Sequence, residues 1–228
     1  MKILITSGGT TEKIDQVRGI TNHSSGRLGK KIAEKFLAVN HQVTLVTTAS
    51  AIKPEKHVNL SIIEITDVSN LIETLEPLVK SHHVLIHSMA VSDYTPIYMT
   101  DLTEVEETSD LSQLLTKTNK ERKISSQADY QVLFLKKTPK VISLVKQWNP
   151  SIQLIAFKLL VNVSKEELFQ VARSSLKKNQ ADYILANDLT MFSADKHLAY
   201  LLDDTNAYMA ETKAEIADLI FEKVRKND

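Results

Sequence analysis

No cysteine occurs among the 228 residues. Thiol nucleophiles, disulfide scaffolds, zinc–cysteine sites and iron–sulfur clusters are excluded together, and the composition suits a reducing compartment. Glycine is also scarce: average usage would place roughly sixteen in such a chain, and this one has five, all between Gly8 and Gly29. One-sided charge is missing too. Twenty-eight basic residues balance 28 acidic ones, so no whole-molecule field draws the protein to nucleic acid or a membrane. The opening run Lys2-Ile3-Leu4-Ile5-Thr6 is too short for a signal-peptide core or a spanning helix. The seven histidines show no zinc spacing, Ser24 and Ser25 sit in no Gly-x-Ser-x-Gly elbow, and the aromatics form no base-stacking stripe. These absences leave the expectation of a cytoplasmic protein with no structural metal, no nucleic-acid partner and no membrane partner.

The length divides into roughly one and a half typical domains, which favours a single domain over residues 1–228 with a small appended element. Where glycine is so sparingly used, its clustering marks positive φ or close approach of backbone to a ligand. Lys2–Thr6 reads as a buried strand, and Ser24-Ser25-Gly26-Arg27-Leu28-Gly29 opens a helical pattern continued by Ile32, Phe36 and Val39. A strand, a glycine-containing loop and a helix N-terminus present N–H groups and a positive dipole end to an anion, usually phosphate. The loop runs from Ser7 to about Ser24, too long for Gly-x-Gly-x-x-Gly. A connection of that length is functional or partly helical, and it is read as the main ligand loop.

Further strands are predicted at Val43–Thr47, Leu60–Ile65, Val84–His87, Ile152–Phe157 and Tyr183–Ala186, and helices at Val68–Val79 and Lys165–Lys178. The β-α-β rhythm implies an α/β fold with a doubly wound, mostly parallel, Rossmann-like sheet. Ligands then bind beyond the carboxyl ends of the strands, near a topological switch point. After the fourth strand, Ser88-Met89-Ala90-Val91-Ser92-Asp93 offers small residues for close approach and one carboxylate for an amino or hydroxyl group. Between about 95 and 138 the rhythm breaks. Five acids within Asp101–Asp110 give way to four bases within Lys117–Lys123, and Tyr130–Leu135 is β-rich. This insertion is expected to form a flap and dimerisation arm. Pro139 fits the first turn of the next helix, with Lys136, Lys137 and Lys140 around its start, a placement that makes sense beside a polyphosphate. Leu198–Asp203 and Ala207–Ala210 form a hairpin, and a helix over Thr212–Lys226 closes the chain.

Taken in order, Thr6-Ser7-Gly8-Gly9-Thr10-Thr11-Glu12, Ile14-Asp15-x-Val17-Arg18, Ile20-Thr21-Asn22-His23-Ser24-Ser25-Gly26 and Gly29 resemble the phosphopantothenate–cysteine ligase family. Ala90-Val91-Ser92-Asp93-Tyr94, Lys123-Ile124-Ser125-Ser126, Lys137-Thr138-Pro139 and Ala181–Asp188 extend the likeness over nearly the whole chain. Met1 standing directly before the first strand is similar to the stand-alone form, without an FMN site. The resemblance implies joining 4′-phosphopantothenate to L-cysteine through an acyl-cytidylate, with CTP and Mg2+, in a homodimer. It implies Gly8, Gly9, Ser24, Ser25 and Gly26 as donors to phosphate, Asp93 for the cytidine, and Pro139, Lys140, Val141, Ile142, Phe157 and Lys178 around the nucleotide. Arg18, Asn22, Met89 and Ala90 would bind substrate. Asn22 would hold the acyl carbonyl, and Lys123 would neutralise charge as pyrophosphate departs. The chain departs from the family's pattern at Ser125-Ser126, where lysines are usual, and at Leu160-Val161, where Glu-Thr is frequent. Two other readings remain open on the residues alone: an NAD(P)-dependent oxidoreductase, because Gly26-x-x-Gly29 imitates the end of a dinucleotide motif, and a non-catalytic nucleotide-sensing dimer.

Overall fold

The computed structural model describes residues 1–193 and 196–225. The chain begins with β1 (Lys2–Thr6), a hairpin of β2 (Thr11–Lys13) and β3 (Gly19–Thr21), and helix α1 (Arg27–Leu37). It continues through β4 (Gln42–Thr47), β5 (Leu60–Glu64), α2 (Val68–Ser81) and β6 (Val84–His87). The insertion holds β7 (Tyr94–Asp101), α3 (Leu102–Glu107), a 3₁₀ turn at Leu111–Thr116 and β8 (Gln131–Lys137). There follow α4 (Val141–Trp148), β9 (Gln153–Leu160), α5 (Lys165–Asn179), β10 (Tyr183–Phe192), β11 (His197–Leu202), β12 (Ala207–Ala210) and α6 (Lys213–Arg225).

Eight of these strands form one sheet in the order β12-β11-β10-β9-β6-β1-β4-β5. From β5 to β10 all pairs are parallel, and β11 and β12 add an antiparallel edge. Parallel strands covered on both faces read as continuous apolar runs. In β1, Ile3 and Ile5 face a cluster with Ile32, Phe36 and Ile220, while Leu4 faces Leu71, Val145 and Leu176. Helices α1 and α6 thus cover one face and α2, α4 and α5 the other, the doubly wound arrangement expected. From β1 the chain moves outward to β4 and β5, then returns to β6 on β1's other side, so the switch point lies between β1 and β6.

The structure differs from expectation in specific places. The long loop is neither unstructured nor helical but holds the β2–β3 hairpin, in register Thr11↔Thr21 and Lys13↔Gly19. Buried Glu12 fixes that hairpin to the body, its Oε1 accepting the Val68 N–H at 2.9 Å. A carboxylate there complements the dipole of α2, whose cap is Asp67, accepting from the Asn70 N–H. Val39 lies beyond α1 and is 48% exposed, so the buried face of that helix is Gly29, Ile32, Ala33, Phe36 and Leu37. Pro139 precedes the cap residue Lys140 instead of lying inside the first turn of α4. The insertion pairs the predicted strand, β8, with an unpredicted one, β7. Its acidic and basic runs meet where Lys117 Nζ donates to Glu104 Oε1 at 2.5 Å. With Thr100 and Tyr98 donating as well, Glu104 is held down to about 2. The closing helix is observed as Lys213–Arg225; Lys226 lies outside the described residues.

Phe36 joins the first and last helices, fully buried with its ring 5.2 Å from that of Phe221 in an edge-on contact. Phe36→Ala should lower unfolding free energy by about 3–5 kcal/mol, and Phe36→Leu by clearly less, as read from urea denaturation followed by circular dichroism.

Candidate functional site

A cleft of about 630 Å³ opens at the carboxyl ends of the parallel strands, over the switch point. The chain builds its floor by crossing over itself. After β1 the backbone runs through Ser7, Gly8 and Gly9, leaves for the β2–β3 hairpin, and returns at Asn22. At the crossing a Cβ on Gly9 would lie 2.1 Å from the Asn22 carbonyl oxygen. On the other side, the segment after β6 continues the sheet: the Ala90 N–H donates to Gly8 O at 2.9 Å and the Thr10 N–H to Ala90 O at 3.0 Å. Thr10 Oγ1 accepts from the Ser92 N–H and donates to Ser92 Oγ. Small residues are demanded here because two backbone segments run side by side under the opening.

The returning segment delivers Asn22, Ser24, Ser25 and Gly26 to the cleft. Gly26 caps α1 at φ 75° without a side chain to offer, the Arg27 N–H makes only a long 3.5 Å bond to Ser25 Oγ, and the first turn carries no acid. Those N–H groups and the dipole end remain available to an anion. Gly8, at φ 85°, has Thr48 Oγ1 at 2.7 Å from where its Cβ would be. Among the described residues the Asn22 side-chain amide has no intramolecular hydrogen bond, so its donors and acceptor are free to serve a ligand.

Met89, Ala90 and Asp93 line the cleft beside β6, and Pro139, Lys140, Val141 and Ile142 line it at the start of α4. Thr138 ties the two together, its hydroxyl donating to Ser92 O at 2.6 Å and its N–H to Asp93 O at 3.0 Å. Asp93 is ion-paired with Lys140 at 2.7 Å, both side chains largely exposed. Such a pair contributes at most about 1 kcal/mol, so a ligand can exchange it. Phe157 completes the set of predicted residues in the cleft.

Four predicted residues lie outside this lining. Gly9 is required for the chain crossing. Arg18 is turned to Asp15, Nη2 to Oδ2 at 2.6 Å, and also donates to Ile124 O at 2.9 Å. The Ile124 N–H returns a bond to Asp15 Oδ2, and the Gln16 N–H donates to Arg122 O. Arg18 and three backbone N–H groups hold the buried Asp15 carboxyl well below the usual range. Lys123 is therefore exposed on a segment clamped at both neighbours by the hairpin turn, not on the cleft wall. Lys178 is exposed in the last turn of α5, at the opposite end of the sheet, because α5 runs antiparallel to the strands it joins.

Sequence reasoning missed several residues that line the cleft: Arg27, His87, Lys158, Asn187, Phe192, His197 and Lys213. The signal available was position, since Lys158 and Asn187 stand on the outer turns of predicted strands. Beyond Asn187, buried Asp188 holds the loop after β9, accepting from Thr190 and from the Asn162 and Val163 N–H groups, which keeps its carboxyl well below the usual range. Among the described residues the cleft carries Arg27, Lys140, Lys158 and Lys213 against one carboxylate, Asp93, which is already paired. That imbalance suits a polyanion. No group of three or more metal-ligating side chains occurs among the described residues, and no helix there is long and apolar enough to cross a membrane.

His87 and His197 are uncharged. Burial, reinforced by Lys140, lowers His87 to about 4; burial, reinforced by Lys213, lowers His197 to about 4. An unfolded histidine titrates near 6.5. Between those values the unfolded chain binds more protons, so stability is full above about 6.5 and falls as pH drops toward 4. For buried His87 the loss reaches about 1.4 kcal/mol per pH unit in that window. Thermal unfolding should shift downward between pH 7 and pH 5, and His87→Gln should flatten the slope, as measured by differential scanning calorimetry.

Residues 1–227 match the family described as the DNA/pantothenate metabolism flavoprotein C-terminal domain. A coenzyme A biosynthesis bifunctional protein CoaBC from Thermococcus kodakarensis is 31% identical over 229 aligned positions, taking in 99% of this chain and 51% of that protein. The chain spans about half the length of the curated relatives it matches. Among solved structures, the DNA/pantothenate metabolism flavoprotein from Streptococcus pneumoniae is 56% identical, with a TM-score of 0.96 and full coverage of both chains. The C-terminal domain of CoaBC shares the fold at 23% identity, with a TM-score of 0.72 over 100% of this chain and 96% of that one. With its whole described length matched and its cleft built on the motifs of the glycine loop, the chain belongs to the DNA/pantothenate metabolism flavoprotein C-terminal domain family.

Proposed function

We propose that the chain is a phosphopantothenate–cysteine ligase that activates the acid with CTP, a step in coenzyme A synthesis. The observation that carries this reading is the cleft's charge: four cations and an uncapped helix N-terminus face a space with one, already paired, carboxylate. Two substrates with three and one phosphate groups need such a site. The names of the curated relatives support the coenzyme A biosynthesis part of this reading.

Two displacements follow from the chemistry. A carboxylate oxygen of 4′-phosphopantothenate attacks the α-phosphorus of CTP, the bond to the β-phosphate breaks, and pyrophosphate leaves. The L-cysteine amine then attacks the acyl carbon, the acyl–phosphate bond breaks, and CMP leaves with the electron pair while the amine loses its proton. Gly8, Ser24, Ser25 and Gly26 would bind phosphate, and Pro139, Lys140, Val141, Ile142 and Phe157 would enclose the nucleoside, with Asp93 exchanging Lys140 for a ligand donor. Met89 and Ala90 let the acid approach the backbone. The unpaired Asn22 amide would hold the acyl carbonyl so that charge growing on that oxygen meets a fixed donor. Lys123, on the segment clamped by Asp15 and Arg18, would neutralise departing pyrophosphate.

Magnesium belongs to the substrate in this scheme. The cleft offers one paired carboxylate and no ligand cluster among the described residues, whereas magnesium commonly rides on nucleotide phosphates with few protein ligands. The donor set does not make a resident metal centre among the described residues. A homodimer suits the insertion, where Leu102, Leu111, Leu115, Tyr130 and Leu135 are exposed. The cysteine-free sequence fits a reducing, cytoplasmic setting.

Incubation with CTP, 4′-phosphopantothenate and cysteine should release CMP and pyrophosphate in equal amounts; absence of both products overturns the assignment. Lys123→Gln should slow pyrophosphate release by about 10-fold or more, whereas Asn22→Asp should leave that step and let acyl-cytidylate accumulate. Quenched-flow analysis of the two products distinguishes these outcomes from a common block.

A further inference from the structure

His87 ends β6 at the switch point, paired in register with Thr6. It is 7% exposed, yet it lines the cleft. Its hydrogen bonds fix its tautomer. Thr6 Oγ1 accepts the Met89 N–H at 3.3 Å and lies 2.8 Å from His87 Nδ1. Among the described residues no other acceptor is available to the Thr6 hydroxyl hydrogen. The hydroxyl therefore donates to Nδ1, and the ring proton resides on Nε2. That second nitrogen has no hydrogen-bond partner among the described residues and is not one of the sealed, unpartnered polar atoms, unlike His197 Nδ1. The ring thus presents one N–H donor to the cleft, in fixed orientation and without charge.

Side chains alternate along β6, and His87 points to the face that carries α4, beneath Lys140 and Val141. This is the part of the cleft enclosed by Pro139–Ile142 and Asp93, apart from the α1 N-terminus at Gly26. A neutral donor there complements a neutral acceptor. Cationic groups and helix N–H groups elsewhere in the cleft are the better partners for phosphate.

We infer that His87 is a specificity-determining residue, whose Nε2–H donates to a carbonyl oxygen or ring nitrogen of the nucleobase while Thr6 holds the imidazole in the donating tautomer. This inference rests on the CTP reading above. It assigns base recognition partly to a residue buried under the cleft and separates it from phosphate binding.

The test measures dissociation constants by isothermal titration calorimetry for CTP and for inorganic tripolyphosphate, a probe with phosphates and no base. His87→Ala should weaken CTP five- to tenfold, the size of one neutral hydrogen bond, and leave tripolyphosphate unchanged. His87→Gln, whose amide nitrogen occupies the place of Nε2, should recover most of the loss. Thr6→Val should weaken CTP by about the same factor as His87→Ala without changing tripolyphosphate. Thermal unfolding of each variant is followed in parallel, so that loss of folded protein is read directly. Equal CTP affinity in wild type and His87→Ala, or an equal loss for CTP and tripolyphosphate in a folded variant, overturns the inference alone. Wild-type protein that binds tripolyphosphate but not CTP overturns the CTP reading and this inference with it.

Discussion

The crossing of the chain at Gly9 is the constraint on which the site depends. With the Asn22 carbonyl 2.1 Å from the position a Cβ would take, any other residue would push the returning strand off the sheet end. The returning segment, past the end of β3, carries Asn22, the two serines and the Gly26 cap, so these cleft-lining groups are placed by one contact. A second close approach reinforces it: a Cβ on Gly29 would lie 2.5 Å from Ser7 Oγ, which lets α1 sit down on β1. The hairpin between these points is anchored at its base by Glu12 on the α2 N-terminus and at its tip by Asp15 on the 122–124 segment. One excursion of the chain therefore joins the sheet end, a helix on the far side of the switch point and the insertion.

Electrostatics divides the cleft. The uncapped α1 N-terminus and the serines hold neutral donors together, while Lys140, Lys158 and Lys213 arrive from three different elements. Because the two histidines are uncharged, the positive potential comes from Arg27 and the three lysines. Asp93 is the sole opposing charge in the described lining, and its pairing with Lys140 keeps that lysine available without leaving a bare carboxylate facing a polyanion. Exposed pairs of this kind break at little cost, which makes them suitable for exchange with a ligand.

Much of the sheet was legible because parallel strands buried on both faces write themselves as Ile3-Leu4-Ile5, Val84-Leu85-Ile86 or Ile184-Leu185-Ala186. The β2–β3 hairpin was not. Thr11-Glu12-Lys13 and Gly19-Ile20-Thr21 are three residues each, largely polar, and owe their form to tertiary bonds such as Glu12 to Val68. Strand β7 was hidden by Pro96, which argues against a strand; a register shift between Pro96 and Tyr98 absorbs it. Glycine clustering and the small residues after β6 pointed to the end of the sheet where the cleft opens. Lys178 misled because a motif gives order along the chain but not direction in space, and α5 carries that lysine to the other end. His87 and His197 were weighed only for zinc spacing, a test blind to a single imidazole seated at a strand terminus.

Under the proposed ligase reading, the division between charged and neutral donors bears on how one cleft would serve two reactions in sequence. Nucleotidyl transfer separates charge and needs cations near the leaving pyrophosphate. Aminolysis needs a carbonyl held by donors too weakly acidic to protonate the attacking amine. Asn22, with an unpaired amide and no charge, would meet the second need, and its position is set by the same crossing that brings Ser24, Ser25 and Gly26 to the cleft. The cation assigned to the first need lies on the insertion, joined to the ligand loop through Asp15 and Arg18. The two groups stand on different segments tied by one buried carboxylate, so a shift of the hairpin tip would be felt at both.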